Sequence, residues 1–323
     1  MNTISYLEAI VMGGIQGISE LFPVSSLAHS ILIPAIIGGQ WAKDMDVAAP
    51  ESPYLAFIVG LHVATALALF VFFWRDWVRI IGGFFTSIRY RRVKTGPERL
   101  AWLIILATIP VGIAGLLLEH TFRTILGQPL PAAAFLAVNG VILLVGERLR
   151  RSSAKKGVHV LASAPVDSLA TEGGTVTESG TVTARAAGDD EKADAALARV
   201  PIKRGILVGS AQILALLPGL SRSGVTMIAG MAAGLSHREA ARFSFLLATP
   251  VILAAGVLKL PDLFGPLGKG IGGQVLAGSA ASFVCALIAV AFLDRYFRTK
   301  TLIPFGIYCL LAGIGSFAYL ALR

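Results

Sequence analysis

Six apolar runs, near residues 55–73, 100–118, 132–147, 243–258, 273–293 and 302–320, constrain this chain more than any other feature. A helix needs about 20 apolar residues to cross a hydrocarbon core of ~30 Å. Inside lipid every backbone N–H and C=O must be bonded internally, so runs of this length fold as helices packed on one another. Composition agrees. Hydrophobic residues make up 55% and charged residues 15% of the chain, where a soluble domain carries about a quarter charged residues. The expected class is an all-α integral membrane protein with six transmembrane helices.

Two further segments, about 4–38 and 205–235, are apolar but broken midway, at Pro23-Val24-Ser25-Ser26 and at Pro218-Gly219-Leu220-Ser221. Proline has no N–H and disfavours helix in the residue before it. Each segment is therefore expected to form two half-helices in a re-entrant hairpin. Broken backbone at membrane depth is tolerated only where it is buried in protein or lines a cavity.

The net charge is +9, yet the basic residues form no single stripe, which argues against a nucleic-acid partner. They gather in Arg75–Arg99, Arg148–Lys156, Lys203–Arg204 and Arg295–Lys300, at the ends of apolar runs, as cytoplasmic loops do under the positive-inside rule. With these stretches inside, the first hairpin enters from outside and the second from the cytoplasm, each followed by three crossings. That is an inverted repeat, which places a binding site where the broken segments meet. The expected organisation is a first membrane repeat over 1–150, a disordered cytoplasmic linker over 151–202 and a second repeat over 203–323. Within the linker, Val166–Ala198 is rich in Ala, Thr, Gly, Ser, Asp and Glu and lacks aromatic residues, so it buries too little apolar surface to fold alone. Cys285 and Cys309 lie in apolar segments and read as packing residues. No basic residue precedes Lys43, so no cleavable signal peptide is expected.

Both breaks carry polar groups, and charge at membrane depth is costly without a partner or a wet cavity. In Gln16-Gly17-Ile18-Ser19-Glu20 the Gln16 and Glu20 side chains share one helix face. Ser25 or Ser26 is placed to cap the next half-helix, and His29 lies one turn on. At the second break Pro218-Gly219 stops the chain, Ser221 caps, and Arg222 and Ser223 open a new helix before Gly224. Free N–H groups, a positive dipole end, an arginine and hydroxyls make an anion site suited to phosphate. If the clusters meet, they supply what phosphoanhydride hydrolysis needs. Arginine and N–H groups neutralise phosphoryl oxygens, a side chain or water attacks phosphorus, His or Glu moves protons, and a divalent cation on a carboxylate bridges the diphosphate. Asn139 reads as interhelical glue, and Gly13, Gly14 and Gly17 as close-packing positions. His62, His120, His159 and His237 have no neighbouring constellation and receive no role.

These motifs resemble those of the undecaprenyl-diphosphate phosphatase family, integral-membrane enzymes linked to bacitracin resistance. The Pro-Gly-x-Ser-Arg-Ser-Gly motif is intact at Pro218–Gly224, and Gln16, Glu20, Pro23, Val24, Ser25, Ser26 and His29 match the glutamate-rich motif. The likeness covers nearly the whole chain. Gln16 stands where many members have Glu, Leu27 and Ala28 stand where Thr/Ser and Gly are commoner, and the linker is longer than usual.

The resemblance implies hydrolysis of undecaprenyl diphosphate to undecaprenyl phosphate and inorganic phosphate. It places the reaction at the outer face of the bacterial cytoplasmic (inner) membrane, where it recycles the lipid carrier of cell-wall peptidoglycan synthesis and confers bacitracin resistance. It further implies a divalent cation (Mg²⁺ or Ca²⁺), membrane lipid as surroundings and a homodimer. On this reading Glu20 is base or metal ligand with Gln16, His29 an acid/base or a covalent nucleophile, and Ser26 a nucleophile or phosphate hydrogen-bonder, with metal-bound water as the other attacking group. Arg222 clamps phosphate, with Ser25, Ser221, Ser223, Gly219 and Gly224 around it. The alternative is a polyprenyl-phosphate flippase or secondary transporter using the same pocket, a reading motivated by the inverted repeat and broken helices.

Overall fold

The computed structural model describes residues 4–47, 53–162, 196–265 and 270–323, and no strand occurs among them. The first helix, α1 (Tyr6–Ser19), starts at a capping box. The Ser5 hydroxyl accepts from the Glu8 N–H at 3.3 Å, and the Glu8 carboxylate accepts from the Ser5 N–H at 2.7 Å. After the break at Glu20–Ser25 the chain turns into α2 (Ser26–Ile37). At 14 and 12 residues, these limbs are about 21 and 18 Å long, too short for either to cross a membrane alone. A short α3 (Gly39–Asp44) leads on to α4 (Pro53–Phe72), α5 (Trp74–Tyr90), α6 (Gly96–Leu126) and α7 (Pro129–Ala162).

The second half repeats the plan. α8 (Ile202–Ser210) runs into a 3₁₀ segment, Ala211–Leu216, before the break at Leu217–Ser221, and α9 (Arg222–Ala232) forms the other limb. Then come α10 (His237–Phe264), α11 (Gly272–Tyr296) and α12 (Ile303–Ala321). Among the described residues six helices are long and apolar enough to span, over Pro53–Phe72, Gly96–Leu118, Pro129–Ser152, His237–Lys259, Gly272–Tyr296 and Ile303–Ala321. They coincide with the six apolar runs, so this is a multi-pass membrane protein.

Helix partners are exchanged symmetrically between the halves. The first limb of each hairpin packs along the middle span of the opposite half, α1 on α11 and α8 on α6. The first spans meet each other (α4 and α10), as do the last (α7 and α12). This reciprocity supports the inverted repeat more directly than the faint likeness between the two sequences. Close approach of α1 to α11 depends on Gly13, where an added Cβ would sit 2.8 Å from the Gly278 carbonyl carbon, and on Gly17, where it would sit 3.0 Å from the Ala286 nitrogen. Gly14 faces the Cys285 thiol at an ordinary 3.6 Å.

Two expectations need revision. The stretch Arg75–Arg99 is no plain loop, because α5 occupies most of it. Its exposed apolar residues Trp74, Val78, Ile81, Phe85 and Ile88 recur at the spacing of one helix face. The opposite face is docked, through the Trp102 Nε1–H donating to the Ser87 hydroxyl at 2.9 Å and an Arg242–Asp76 ion pair at 2.8 Å. The linker expected over 151–202 is also narrower at both ends. Helix α7 continues to Ala162, while Leu197, Ala198 and Val200 are buried, apolar side chains that gain more by packing than by solvation. Residues 163–195 lie outside the described residues.

Candidate active site

The two breaks meet, and Glu20 is the point of contact. Its Oε2 accepts from the Gln16 Nε2–H at 3.0 Å and from the Ser26 hydroxyl, while its Oε1 accepts from the Arg222 guanidinium. Glu20 and Arg222 are 202 positions apart in the chain. Arg222 also donates to the Ala248 carbonyl at 3.3 Å, which fixes the guanidinium plane between the second hairpin and α10. Glu20 and Ser26 are each only 8% exposed, so this carboxylate is compensated by protein groups instead of by bulk water.

Local backbone explains how Ser26 reaches Glu20. Glu20 closes α1 as its C-cap, and Ser25 caps α2 with φ 66°, in the left-handed region. For a residue other than glycine that conformation costs on the order of 1–3 kcal/mol, and such strain concentrates at functional sites. It turns the chain sharply enough for the first hydroxyl of α2 to lie against the last carboxylate of α1.

On the other side of the contact, Ser221 caps α9 by accepting from the Gly224 N–H at 3.2 Å. Its hydroxyl is 3.0 Å from that of Ser223, which donates to the Phe22 carbonyl at 3.2 Å. Asn139, fully buried on α7, bridges both breaks. Its Nδ2–H donates to the Pro23 carbonyl and its Oδ1 accepts from the Ser221 N–H, each at 3.0 Å. Ser221 and Ser223, expected around phosphate, thus spend these donors and acceptors on joining the two tips, as does Asn139, while the Gly224 N–H is spent on the helix cap.

Gly219 has the same structural character. It adopts φ 123°, and an added Cβ would lie 2.5 Å from the Phe135 Cβ and 2.7 Å from the Ala132 carbonyl oxygen. Gly219→Ala is expected to cost on the order of 3 kcal/mol or more from strain and overpacking. It should appear as a large fall in the melting temperature of the detergent-solubilised protein, and an unchanged melting temperature would refute the assignment.

The histidine that faces the carboxylate is His62, not the motif residue His29. The His29 Nδ1–H donates to the Ser25 carbonyl at 2.7 Å, and its Nε2 lies 2.7 Å from the Tyr308 hydroxyl, with the rings stacked at 5.8 Å. Both nitrogens are engaged there, and Glu20 is the partner of neither. His62, given no role from sequence, faces the carboxylate from α4. Its Nδ1 lies 2.9 Å from the Ile58 carbonyl and its Nε2 3.3 Å from Glu20 Oε2, and since a carbonyl and a carboxylate both only accept, the ring meets them as a donor from both nitrogens. Only the packing of α4 against the second half, beside the hairpins, brings it there.

Gln16 Oε1 is buried with no hydrogen-bond partner among the described residues, so the cluster holds an unsatisfied oxygen beside its carboxylate. No group of three or more His, Cys, Asp or Glu side chains suited to a metal ion occurs among the described residues.

Taken together, a hydroxyl donates to a buried carboxylate that an arginine and an imidazole flank. Such a set can supply a hydroxyl nucleophile, a carboxylate base and a cation for an oxyanion.

Residues 9–315 match the family model described as Bacitracin resistance protein BacA. The undecaprenyl-diphosphatase of Mycolicibacterium paratuberculosis is 62% identical over 320 residues, covering 99% of each chain. Undecaprenyl-diphosphatase 1 of Frankia casuarinae is 53% identical over 363 residues, covering 97% of each. Undecaprenyl-diphosphatase 2 of Chromobacterium violaceum is 39% identical over 313 residues, covering 95% of this chain and 96% of that one.

Proposed function

The chain belongs to the Bacitracin resistance protein BacA family, and from that premise we propose that it hydrolyses undecaprenyl diphosphate to undecaprenyl phosphate and inorganic phosphate. The reading places the reaction at the outer face of the bacterial inner membrane, where it returns the lipid carrier to cell-wall synthesis and confers bacitracin resistance. The observation that supports it most is the meeting of Ser26, Glu20 and Arg222 across two breaks far apart in the chain.

In the proposed mechanism the Ser26 Oγ attacks the terminal phosphorus. Glu20 takes the hydroxyl proton, the Oγ–P bond forms, and the bridging P–O bond breaks with undecaprenyl phosphate as leaving group. Arg222 stabilises charge on the phosphoryl oxygens, where a guanidinium suits phosphate better than an ammonium does. Water, deprotonated by a carboxylate that has passed its proton on, then releases inorganic phosphate from the serine. His62 holds the Glu20 carboxylate in place and shares its charge. His29 supports the Ser25 turn from the Tyr308 side.

The donor set fits a divalent cation in a limited way. Glu20 and the orphaned Gln16 Oε1 would hold it, with lipid phosphates and water completing a shell of the kind Mg²⁺ prefers. When bound, such an ion neutralises phosphoryl oxygens.

The function is tested with purified full-length protein in detergent. Phosphate release from undecaprenyl diphosphate in the presence of Mg²⁺ or Ca²⁺ is the expected result. Absence of release with either ion, together with transbilayer movement of the lipid in reconstituted vesicles, would favour transport instead. His62→Ala is expected to lower kcat by about 10- to 100-fold, the worth of one hydrogen bond to a charged group. A variant within twofold of the parent would remove His62 from the site.

A further inference from the structure

Helix α5 has three faces, and only one of them is packed against the protein. Asp76, Ile80, Gly83 and Ser87 share the buried face. At about 100° per residue, Trp74, Val78, Ile81, Phe85 and Ile88 fill a second sector about 80° wide. All but Ile81 in that sector are more than half exposed, so the protein itself does not cover them. Arg75, Arg79 and Arg89 share the third sector, of about the same width.

The buried face docks on the ends of three spans. Trp77 stacks on Phe70, near the end of α4, at 6.1 Å. Asp76 pairs with Arg242, in the second turn of α10, at 2.8 Å. The Thr86 hydroxyl donates to Glu98, in the first turn of α6, at 3.1 Å, and Trp102, one turn on, donates to Ser87. A single residue, Phe73, joins α5 to α4, and residues 91–95 join it to α6. The helix has 17 residues, about 26 Å of length. Tied to a span at each end and seated on the outermost turns of a third, it runs along the membrane surface. Its second sector therefore meets the bilayer interface.

The chemistry of the third sector fits that position. Interfacial helices set arginines above an apolar face and carry aromatic rings at headgroup level. Trp74 and Tyr90 stand at the two ends of α5, with the Arg75 guanidinium 5.4 Å from the first ring and those of Arg89 and Arg92 at 5.9 and 5.4 Å from the second. The neighbouring carboxylates are already taken. Asp76 pairs with Arg79 and Arg242, and Glu98 accepts from the Lys94 and Thr95 N–H groups. Among the described residues Arg75, Arg89 and Arg92 make no ion pair. Anionic lipids supply the missing counter-charge, a preference of about fivefold for each Arg or Lys near the surface.

We propose that α5 is an interfacial lipid-binding helix. The sector from Trp74 to Ile88 sinks into the acyl chains, and Arg75, Arg89 and Arg92 hold phosphates of anionic lipid headgroups in the leaflet at the basic ends of the spans. Nothing in this assignment requires the hydrolytic reading to hold.

Two measurements on full-length protein test it. For depth, Phe85→Cys and Gly82→Cys are each spin-labelled in phosphatidylcholine–phosphatidylglycerol nanodiscs, with the labelled parent as background for Cys285 and Cys309. Both positions have room, since Phe85 is exposed and an added Cβ at Gly82 meets nothing within 4 Å. The label at 85 should be relaxed more by oxygen than by a water-soluble nickel chelate, and the label at 82 the reverse. Equal access of the chelate to both would overturn the lipid contact. Spin–spin broadening at 85 would also overturn it, by showing a second copy on that face.

For headgroups, native mass spectrometry compares lipid retained by the parent and by Arg75→Gln/Arg89→Gln/Arg92→Gln from the same mixed membranes. The ratio of phosphatidylglycerol to phosphatidylcholine should fall by about fivefold or more, with hydrolysis and melting temperature unchanged. An equal ratio in the two proteins would overturn the headgroup contacts. The depth measurement does not use the arginine variant, so it decides the lipid contact even if that variant fails to fold.

Discussion

Arg222→Ala is expected to lower kcat on undecaprenyl diphosphate by about 10³-fold or more, the scale set by arginines that stabilise transferring phosphoryl groups. The guanidinium is held by Glu20 on one side and the Ala248 carbonyl on the other, an orientation it keeps without substrate. The Ser223–Phe22 hydrogen bond and the Asn139 bridge persist when the arginine is removed, so the tips retain contacts beyond that one pair. Arg222→Lys separates folding from turnover. Lysine restores charge opposite Glu20 but lacks the planar fork that meets a carboxylate, a carbonyl and a phosphoryl oxygen at once. Its melting temperature should match the parent while most activity is still lost. Phosphate release within tenfold of the parent in the alanine variant would show that Arg222 is a structural ion-pair partner only.

Ser26→Ala should cost a similar factor, at least about 10³-fold, because removing a nucleophile leaves only binding and electrostatic stabilisation. The lost hydroxyl donates to Glu20, whose other partners persist, and alanine fits a helix start without strain. The fold should therefore survive. Rapid quenching of the parent enzyme with labelled substrate, followed by peptide mass analysis, should show phosphate on Ser26. A Ser26→Ala protein that releases phosphate at a tenth of the normal rate or faster, with no phosphoserine in the parent, would point to direct attack by water.

The six spans and the hairpin breaks could be read from residue order because their causes are local. An apolar run of bilayer length has one low-energy conformation in lipid, and Pro23 and Pro218 fall among turn-forming residues at the two breaks, whereas Pro34, Pro110 and Pro250 sit inside helices. The convergence of Glu20 with Arg222 was also legible, since isolated charges at that depth need partners. The amphipathic face of α5 left a signal in the three- and four-residue spacing of Trp74, Val78, Ile81, Phe85 and Ile88, which clustering of basic residues obscured. His62 left none. Its Nδ1 is satisfied by Ile58 one turn back, so its surroundings in sequence are those of any apolar span, and its partner lies 42 positions away.

What the residue order determined by itself was a membrane-embedded helical repeat with two polar breaks bound to meet, because desolvating charge leaves few alternatives. Only the tertiary structure decided which side chains share the meeting point. It turned His29 to Tyr308, brought His62 to Glu20, and spent Ser221, Ser223 and Asn139 on clamping the tips. Those outcomes depend on the rotation and depth of each helix against its neighbours. Such rotations are set by steric fit at small residues such as Gly13 and Gly219, which no single helix encodes.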